Sequence, residues 1–289
     1  MSLPRIAITA GDPAGIGPEI AEKAAADPRV RAVCDPLIYG SESRFEPGQL
    51  SAAAGQAAYE AIVRAVRDAE AGGVSAIATA PISKKALALA GLPWRGHTDM
   101  LAALTNTREV AMMFHSSRLR VVLATIHIPL ADVPAALTLP AVLGVIALTA
   151  REMPKFNLSD PRLALAGLNP HAGEQGVIGQ EEERVLGPAV NLSREKGIDI
   201  TGPWPGDTVF LRAVQGEFDV VIACYHDQGL IPVKLMAFGE AVNVTLGLPI
   251  IRTSVDHGTA FDIAGRAVAN PESMVQAVLL AARLAQNGA

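Results

Sequence analysis

Short apolar runs alternate with longer alanine-rich stretches along almost the whole chain, and this alternation limits the fold more than any other feature. Arg5–Thr9, Leu37–Tyr39, Ala76–Thr79, Leu119–Ile126, Leu163–Ala166, Val220–Ala223, Val242–Leu246 and Ile250–Thr253 read as strands. Between them Pro18–Ala26, Ser51–Ala71, Lys84–Ala90, Leu139–Glu152, Glu181–Lys196, Phe261–Gly265 and Pro271–Asn287 read as helices. Gly72, Gly91 and Gly197 follow three of these, where a left-handed residue ends a helix. Asn270 and Pro271 supply an N-cap and a first helical residue to the last one. Strands that alternate with helices build βαβ units, so the expected class is α/β with a mostly parallel sheet covered on both faces.

The chain has 289 residues, 50% of them hydrophobic, enough for two domains at roughly 100–200 residues each. No linker and no fixed-period repeat separates them. The reading is therefore an interleaved pair, 1–118 with 243–289 as the first α/β domain and 119–242 as the second. Net charge is −5, from 24 basic and 29 acidic residues, with no basic stripe. Aromatic residues make up only 4%. Together these exclude a nucleic-acid partner. No apolar run reaches the ~20 residues of a membrane helix, and Met1–Arg5 lacks the build of a signal peptide. Cys34 and Cys224 lie far apart with no metal or redox spacing, and Cys224 reads as a small buried hydrophobe. The expected location is the cytoplasm.

Open α/β sheets bind ligands at the C-terminal ends of their strands, so polar residues there carry most weight. His127 ends the run Val121–Ile126, His171 follows Leu163–Leu168, and His226 ends Val220–Tyr225. A single histidine in such a place is more often a loop or satisfied core residue. Half of the chain's six histidines in the same topological position favours a catalytic divalent metal. Asp227, next to His226, orients an imidazole, acts as a base, or caps a turn. Asp207 lies in the rigid loop Gly202–Thr208, where an N-cap role for the next helix explains it equally well.

A second set reads as an anion clamp. His97 and Thr98 follow Gly96 at a helix start, where free N–H groups favour phosphate or carboxylate. Lys234, Asn243 and Arg252 lie around predicted strands among apolar neighbours such as Leu235, Met236, Ile250 and Ile251. Charges there need a partner, either an anionic substrate or an internal carboxylate. Lys84, after Thr79–Ile82, is read the same way. The loop Gly11–Glu19 matches neither GxGxxG nor a P-loop, and a tight strand-to-helix connection explains most of it.

Two stretches are long and specific: Gly-Leu-Asn-Pro-His-Ala-Gly-Glu at 167–174 and Tyr-His-Asp-Gln-Gly at 225–229. With Gly11–Ile20, Thr79–Lys84, Gly96–Met100, Ala124–Leu130, Gly202–Phe210, Tyr225–Lys234 and Asn243–Gly265, they resemble the 4-hydroxythreonine-4-phosphate dehydrogenase family over essentially the whole chain. The resemblance implies metal ligands at His127, His171 and His226 and substrate contacts at His97, Thr98, Lys234, Asn243 and Arg252. Catalytic groups are sought among Asp227, Lys234, His97 and Asp207. It further implies one divalent metal per site (zinc, cobalt or magnesium) and a homodimer whose active sites draw on both subunits. His257–Arg266 and Ala269–Pro271 look like the nucleotide-binding segment of isopropylmalate and isocitrate dehydrogenases. That likeness assigns NAD or NADP to His257, Gly258, Thr259 and Asp262. It also implies two α/β/α domains of isopropylmalate-dehydrogenase-like type with an active-site cleft between them, a fold without GxGxxG.

The implied reaction is the metal-dependent oxidation of 4-phosphohydroxy-L-threonine to a 3-oxo acid, which decarboxylates to 3-amino-2-oxopropyl phosphate in pyridoxine biosynthesis. Two departures bear on the substrate. Only residues 41–50 separate Gly40 from the helix at Ser51, where longer members carry more sequence, and Ser83 replaces a histidine that some members place before the lysine. The alternatives are 4-phospho-D-threonate, 4-phospho-D-erythronate or an aromatic dihydrodiol carboxylate. The competing class is a non-redox phospho-ligand-binding protein or metal-dependent lyase, which has no need of the His257–Arg266 segment.

Overall fold

The computed structural model describes residues 3–237 and 239–287. Among them the strands are β1 (Arg5–Thr9), β2 (Asp35–Tyr39), β3 (Ala76–Thr79), β4 (Ala111–His115), β5 (Arg120–Leu123), β6 (Leu163–Ala166), β7 (Ile200–Trp204), β8 (Val220–Ala223), β9 (Val242–Leu246) and β10 (Arg252–Ser254). The chain divides into two compact units, Met1–Val110 with Val242–Ala289, and Ala111–Ala241. The first crossing falls before Ala111 rather than after residue 118. The reason is that the apolar run Ala111–His115 is itself a strand, paired antiparallel with β5.

In the first unit the strand order is β2-β1-β3-β10-β9, parallel except for β9 against β10. β1 and β3 are buried on both faces, as their unbroken apolar sequences require. One face packs on the helix Ala52–Glu70, whose Ala58, Ile62, Ala65 and Val66 recur at helical spacing. Ser51 starts that helix by accepting the Ala54 N–H at 3.1 Å. Ala7, Ile77, Ile62, Val66, Leu87, Met100 and Leu101 form one buried cluster. The helix Glu272–Asn287 contacts β1, β3, β9 and β10, and Thr253 Oγ1 donates to its Ala277 carbonyl at 2.8 Å. Asn270 Oδ1 accepts the Glu272 N–H at 2.9 Å, the cap the sequence implies.

In the second unit the order is β4-β5-β8-β6-β7, with β5, β8, β6 and β7 all parallel. Val121, Leu123, Ala164, Val221 and Ala223 form its core with Val209, Phe210, Leu230 and Val233. Residues 181–195 are continuously helical, as the sequence implies, but not uniformly α-helical: a π-helical turn, Glu182–Leu186, runs directly into the α-helix Gly187–Glu195. Pro188 has no N–H to continue the ladder, and a π turn absorbs the slip.

One further expectation changes. Phe261–Gly265 is a run of turns instead of a helix, because Ala260 (φ 42°), Gly265 (φ 75°) and Ala267 (φ 60°) adopt left-handed conformations. The segment that carries Lys234, left unassigned between two predicted strands, is the helix His226–Ala237. Among the described residues no single helix is long and apolar enough to cross a membrane.

Candidate active site

In the second unit β5, β8 and β6 are neighbours and parallel. His127, His226 and His171 follow their C-terminal ends, so the three histidines share one topological position. The rings of His127 and His226 stand with centroids 5.5 Å apart. His226 opens the helix His226–Ala237, and its Nδ1 lies 2.7 Å from Asp227 Oδ1. In the neutral ring this contact places the hydrogen on Nδ1 and leaves the Nε2 lone pair free, the tautomer of a metal-binding imidazole. Asp227 is thereby an orienting group first.

His171 sits on unusual backbone. His171, Ala172, Gly173, Glu174 and Gln175 have φ of 53, 52, 82, 44 and 54°. Each non-glycine residue in that region costs about 1–2 kcal/mol, so the run needs an external hold. Buried Glu182 provides one. Its Oε1 accepts the Asn169 N–H at 2.7 Å and its Oε2 the Asn169 Nδ2–H at 2.9 Å, while Glu181 takes the same amide at 2.8 Å. Among the described residues no group of three or more His, Cys, Asp or Glu side chains is placed to hold a metal. One chain therefore presents the His127–His226 pair and does not gather His171 with it.

Two other residues of this unit behave differently from expectation. Lys234 is exposed on its helix, so the desolvation argument does not apply to it. Asp207 is exposed and does not cap the following helix Val209–Val214, whose N-cap residue is Thr208.

The first unit holds a buried polar cluster. Arg252 is 2% exposed and donates from Nη1 to Thr245 Oγ1 at 3.0 Å and from Nη2 to Thr79 Oγ1 at 2.7 Å; its Nε has no partner. Burial alone shifts its pKa, down to about 9, so it stays cationic at neutral pH without a carboxylate beside it. His97 Nε2 and Asn243 Oδ1 are likewise buried and unpartnered. Asn243 stands opposite Ser254 in the antiparallel ladder, and Ser254 Oγ meets Thr79 Oγ1 at 3.1 Å. Buried polar atoms are almost always paired, so the orphaned Arg252 Nε–H, and His97 Nε2 in the tautomer that carries its hydrogen there, leave donors beside an uncompensated guanidinium that an anion would suit. Thr98 follows His97 in the first turn of the helix His97–Leu104, whose N-cap Gly96 offers no side-chain cap. Lys84 is exposed, but its Cε is 3.9 Å from where a Cβ on Gly96 would stand.

Burial, and then the charge of Arg252, hold the His97 imidazole well below its ordinary value of 6.5. The folded protein keeps His97 neutral where the unfolded chain would protonate it. Below about pH 6.5 the unfolded state then binds more protons, and stability falls as pH drops. We expect a loss of at most about 1.4 kcal/mol per pH unit below that value, absent from a His97→Gln variant. Urea unfolding of both proteins from pH 7 to pH 5 checks this; parallel pH profiles refute it.

Thr79 belongs to this cluster, while Asp12 is a separate buried carboxylate in the loop after β1; neither was singled out by the sequence reading. Asp12 is 1% exposed, accepts the Ala14 N–H at 2.9 Å through Oδ1, and leaves Oδ2 without a partner. Burial raises its pKa. The strand-end rule alone would have found both residues, since Thr79 ends β3 and Asp12 follows β1 closely. The adjacent Gly11 (φ 68°) must be glycine, because a Cβ there would lie 2.2 Å from the Pro81 carbonyl oxygen.

The Gly-rich loop packs on the segment assigned to a nucleotide. The Ile16 N–H donates to Thr259 O at 3.0 Å, and a Cβ on Gly15 would sit 2.8 Å from that oxygen. Close packing thus accounts for the glycines. His257, Gly258 and Asp262 are exposed or partly exposed around it, with His257 Nδ1 3.0 Å from Gly258 O.

Fold and side chains together define an α/β protein with a buried, uncompensated guanidinium among polar side chains in one unit and a close histidine pair in the other. A family model described as "Pyridoxal phosphate biosynthetic protein PdxA" matches residues 14–281. The 4-hydroxythreonine-4-phosphate dehydrogenase of Desulforapulum autotrophicum is 45% identical over 96% of this chain and 95% of its own. The D-threonate 4-phosphate dehydrogenase of Salmonella typhimurium is 42% identical over 99% of this chain and 100% of its own. A crystal structure of 4-hydroxythreonine-4-phosphate dehydrogenase from Klebsiella pneumoniae superposes with a TM-score of 0.90 at 41% identity, covering 98% of each chain. The chain belongs to the PdxA family. Isocitrate dehydrogenase from Methylococcus capsulatus, at 17% identity and a TM-score of 0.55, shares the fold.

Proposed function

We propose that this protein oxidises 4-phosphohydroxy-L-threonine with NAD or NADP in a reaction that depends on a divalent metal. The observation that carries the reading is Arg252: a buried guanidinium whose hydrogen-bond partners are threonine hydroxyls and which lacks a counter-charge. A phosphate or carboxylate supplies that charge. The family adds the hydroxy-acid dehydrogenase class, since the relatives are named as dehydrogenases of phosphorylated hydroxy acids.

Arg252 holds the substrate anion, and His97 donates to it from Nε2. That nitrogen carries the hydrogen in one neutral tautomer, and the ring resists protonation. A charge-assisted contact of this kind is worth about 1.5–3 kcal/mol, which selects strongly against unphosphorylated analogues. Asn243 and Thr98 complete the anion's hydrogen bonds. His127 and His226 hold the metal, and Asp227 fixes the His226 ring. A divalent cation held there would supply Lewis acidity toward the substrate alcohol oxygen, and a nicotinamide held by its own segment would supply the hydride acceptor. The alcohol proton leaves to solvent. Residues His257–Asp262 take the nucleotide. The protein works as a homodimer whose sites draw on both copies, an arrangement that would bring in His171.

4-Phospho-D-threonate is the second reading, favoured by the 42% identity to an enzyme named for it. The test is a dehydrogenase assay with 4-phosphohydroxy-L-threonine, 4-phospho-D-threonate, 4-phospho-D-erythronate and a dihydrodiol carboxylate, each with NAD and NADP and with zinc, cobalt or magnesium. We expect reduced nucleotide from 4-phosphohydroxy-L-threonine at the highest kcat/KM. Turnover of 4-phospho-D-threonate alone selects the second reading, and no turnover of any phosphorylated acid removes both.

A further inference from the structure

The connections that follow β5, β6 and β8 meet at two residues outside the histidine set. Cys224, fully buried at the end of β8, accepts through its carbonyl from Thr125 N–H at 3.2 Å and Thr125 Oγ1–H at 2.7 Å, two residues before His127. Its thiol donates to Ala166 O at 3.2 Å, on the segment that leads to His171. Its own N–H donates to Gln228 Oε1 at 2.7 Å, and Gln228 Nε2 donates onward to Gly167 O at 2.7 Å. Gln228 lies two residues past His226, so one side-chain amide ties the β8 connection to the β6 connection. The two contacts also fix the amide's orientation, because an N–H can only face the oxygen and a carbonyl can only face the nitrogen.

Neighbouring backbone is shaped around this amide. Gly206 would put a Cβ 3.1 Å from Gln228 Nε2, and a Cβ on Gly229 would sit 2.6 Å from Leu123 Cδ2, so the helix that carries Gln228 lies close on β5 and β8. Neither Gln228 nor Cys224 has a role in the proton or hydride steps above.

We propose that Gln228, acting through Cys224, is a positioning residue that sets the spacing of the connections bearing His127, His171 and His226. The inference rests on the reading that these histidines bind a metal. Glutamine is required because the place needs one acceptor and one donor on a single rigid plane. Glutamate matches its size and keeps the acceptor, but as a carboxylate presents a second acceptor to the Gly167 carbonyl. Leucine removes both contacts.

Co(II) is the probe, followed by its visible absorption bands on titration into the metal-free protein. Outer contacts of metal-binding histidines typically change affinity by about 10–100-fold, and we expect Gln228→Leu and Gln228→Glu each to weaken Co(II) binding within that range and to shift the bands. A thermal melt of each apo-variant shows whether it is folded; should Gln228→Leu fail to fold, Gln228→Glu carries the test. A third measurement needs neither metal nor variant: the Cys224 amide of the parent should exchange its hydrogen at least about tenfold more slowly than the exposed Asp227 amide. If the parent takes up no Co(II), the metal reading falls and this inference with it. If the parent binds Co(II) and both variants bind as tightly with unchanged bands, or if the Cys224 amide exchanges freely, only the positioning role is overturned.

Discussion

Arg252→Met is expected to remove most of the activity on a phosphorylated acid while leaving the protein at least as stable as the parent. Truncating one member of a buried, hydrogen-bonded charge pair costs about 2–5 kcal/mol of binding, or between about 30-fold and a few thousand-fold in kcat/KM. Stability moves the other way because the free protein keeps the guanidinium buried against Thr79 and Thr245 with no carboxylate beside it. An unbranched apolar side chain abolishes that desolvation cost, and such replacements are commonly neutral or stabilising. Of the two released hydroxyls, Thr79 Oγ1 keeps another partner, Ser254 Oγ at 3.1 Å. Steady-state kinetics and a thermal melt on the same preparation decide the matter. A kcat/KM within a few-fold of the parent would show that Arg252 does not meet the substrate anion. A melting midpoint lowered as far as by a core truncation would show that the arginine serves the fold.

The second large effect is expected at the histidine pair. His226→Ala removes the ring that Asp227 orients and that stands 5.5 Å from His127, centroid to centroid. If these imidazoles hold the metal, the variant loses the Lewis acid term, worth several kcal/mol, and activity falls by at least about a thousandfold at about 1.4 kcal/mol per tenfold. His226 is partly exposed at the start of its helix, so the melting midpoint should move little. Asp227→Asn gives an intermediate result. It leaves the ring and replaces the carboxylate that fixes its tautomer, a loss of about 10–100-fold. A His226→Ala protein that binds metal stoichiometrically and turns over normally would place the metal elsewhere.

How much of this was legible beforehand depends on the range of the interaction involved. β1, β3, β6, β8 and β9 lie where their apolar runs put them, and Asn270 caps the helix that follows it. These features are local: a cap is one hydrogen bond within three residues, and a buried parallel strand announces itself by an unbroken apolar run. The three histidines were also legible, because the end of a strand is marked in sequence and parallel order then brings such ends to one side of a sheet. What misled was local pattern without its surroundings. Lys234 has apolar neighbours in sequence yet points its charge to solvent from a helix, while Arg252, with similar neighbours, is buried. Phe261–Gly265 has helical composition but is held in turns by left-handed residues on either side.

The sequence by itself determined the α/β class, the strand ends that carry chemistry, and the family to which those motifs belong. Tertiary structure decided which of the marked residues are buried, which are paired and which are left without partners. Only there does Arg252 prove to lack a counter-charge, does Thr79 join its cluster, and does Gln228 tie two histidine-bearing connections together. The physical reason is that desolvation and hydrogen-bond satisfaction are properties of a residue's whole surroundings. Gln228 and Gly167 are separated by 61 positions, and Arg252 and Thr79 by 173, before the sheets bring them together.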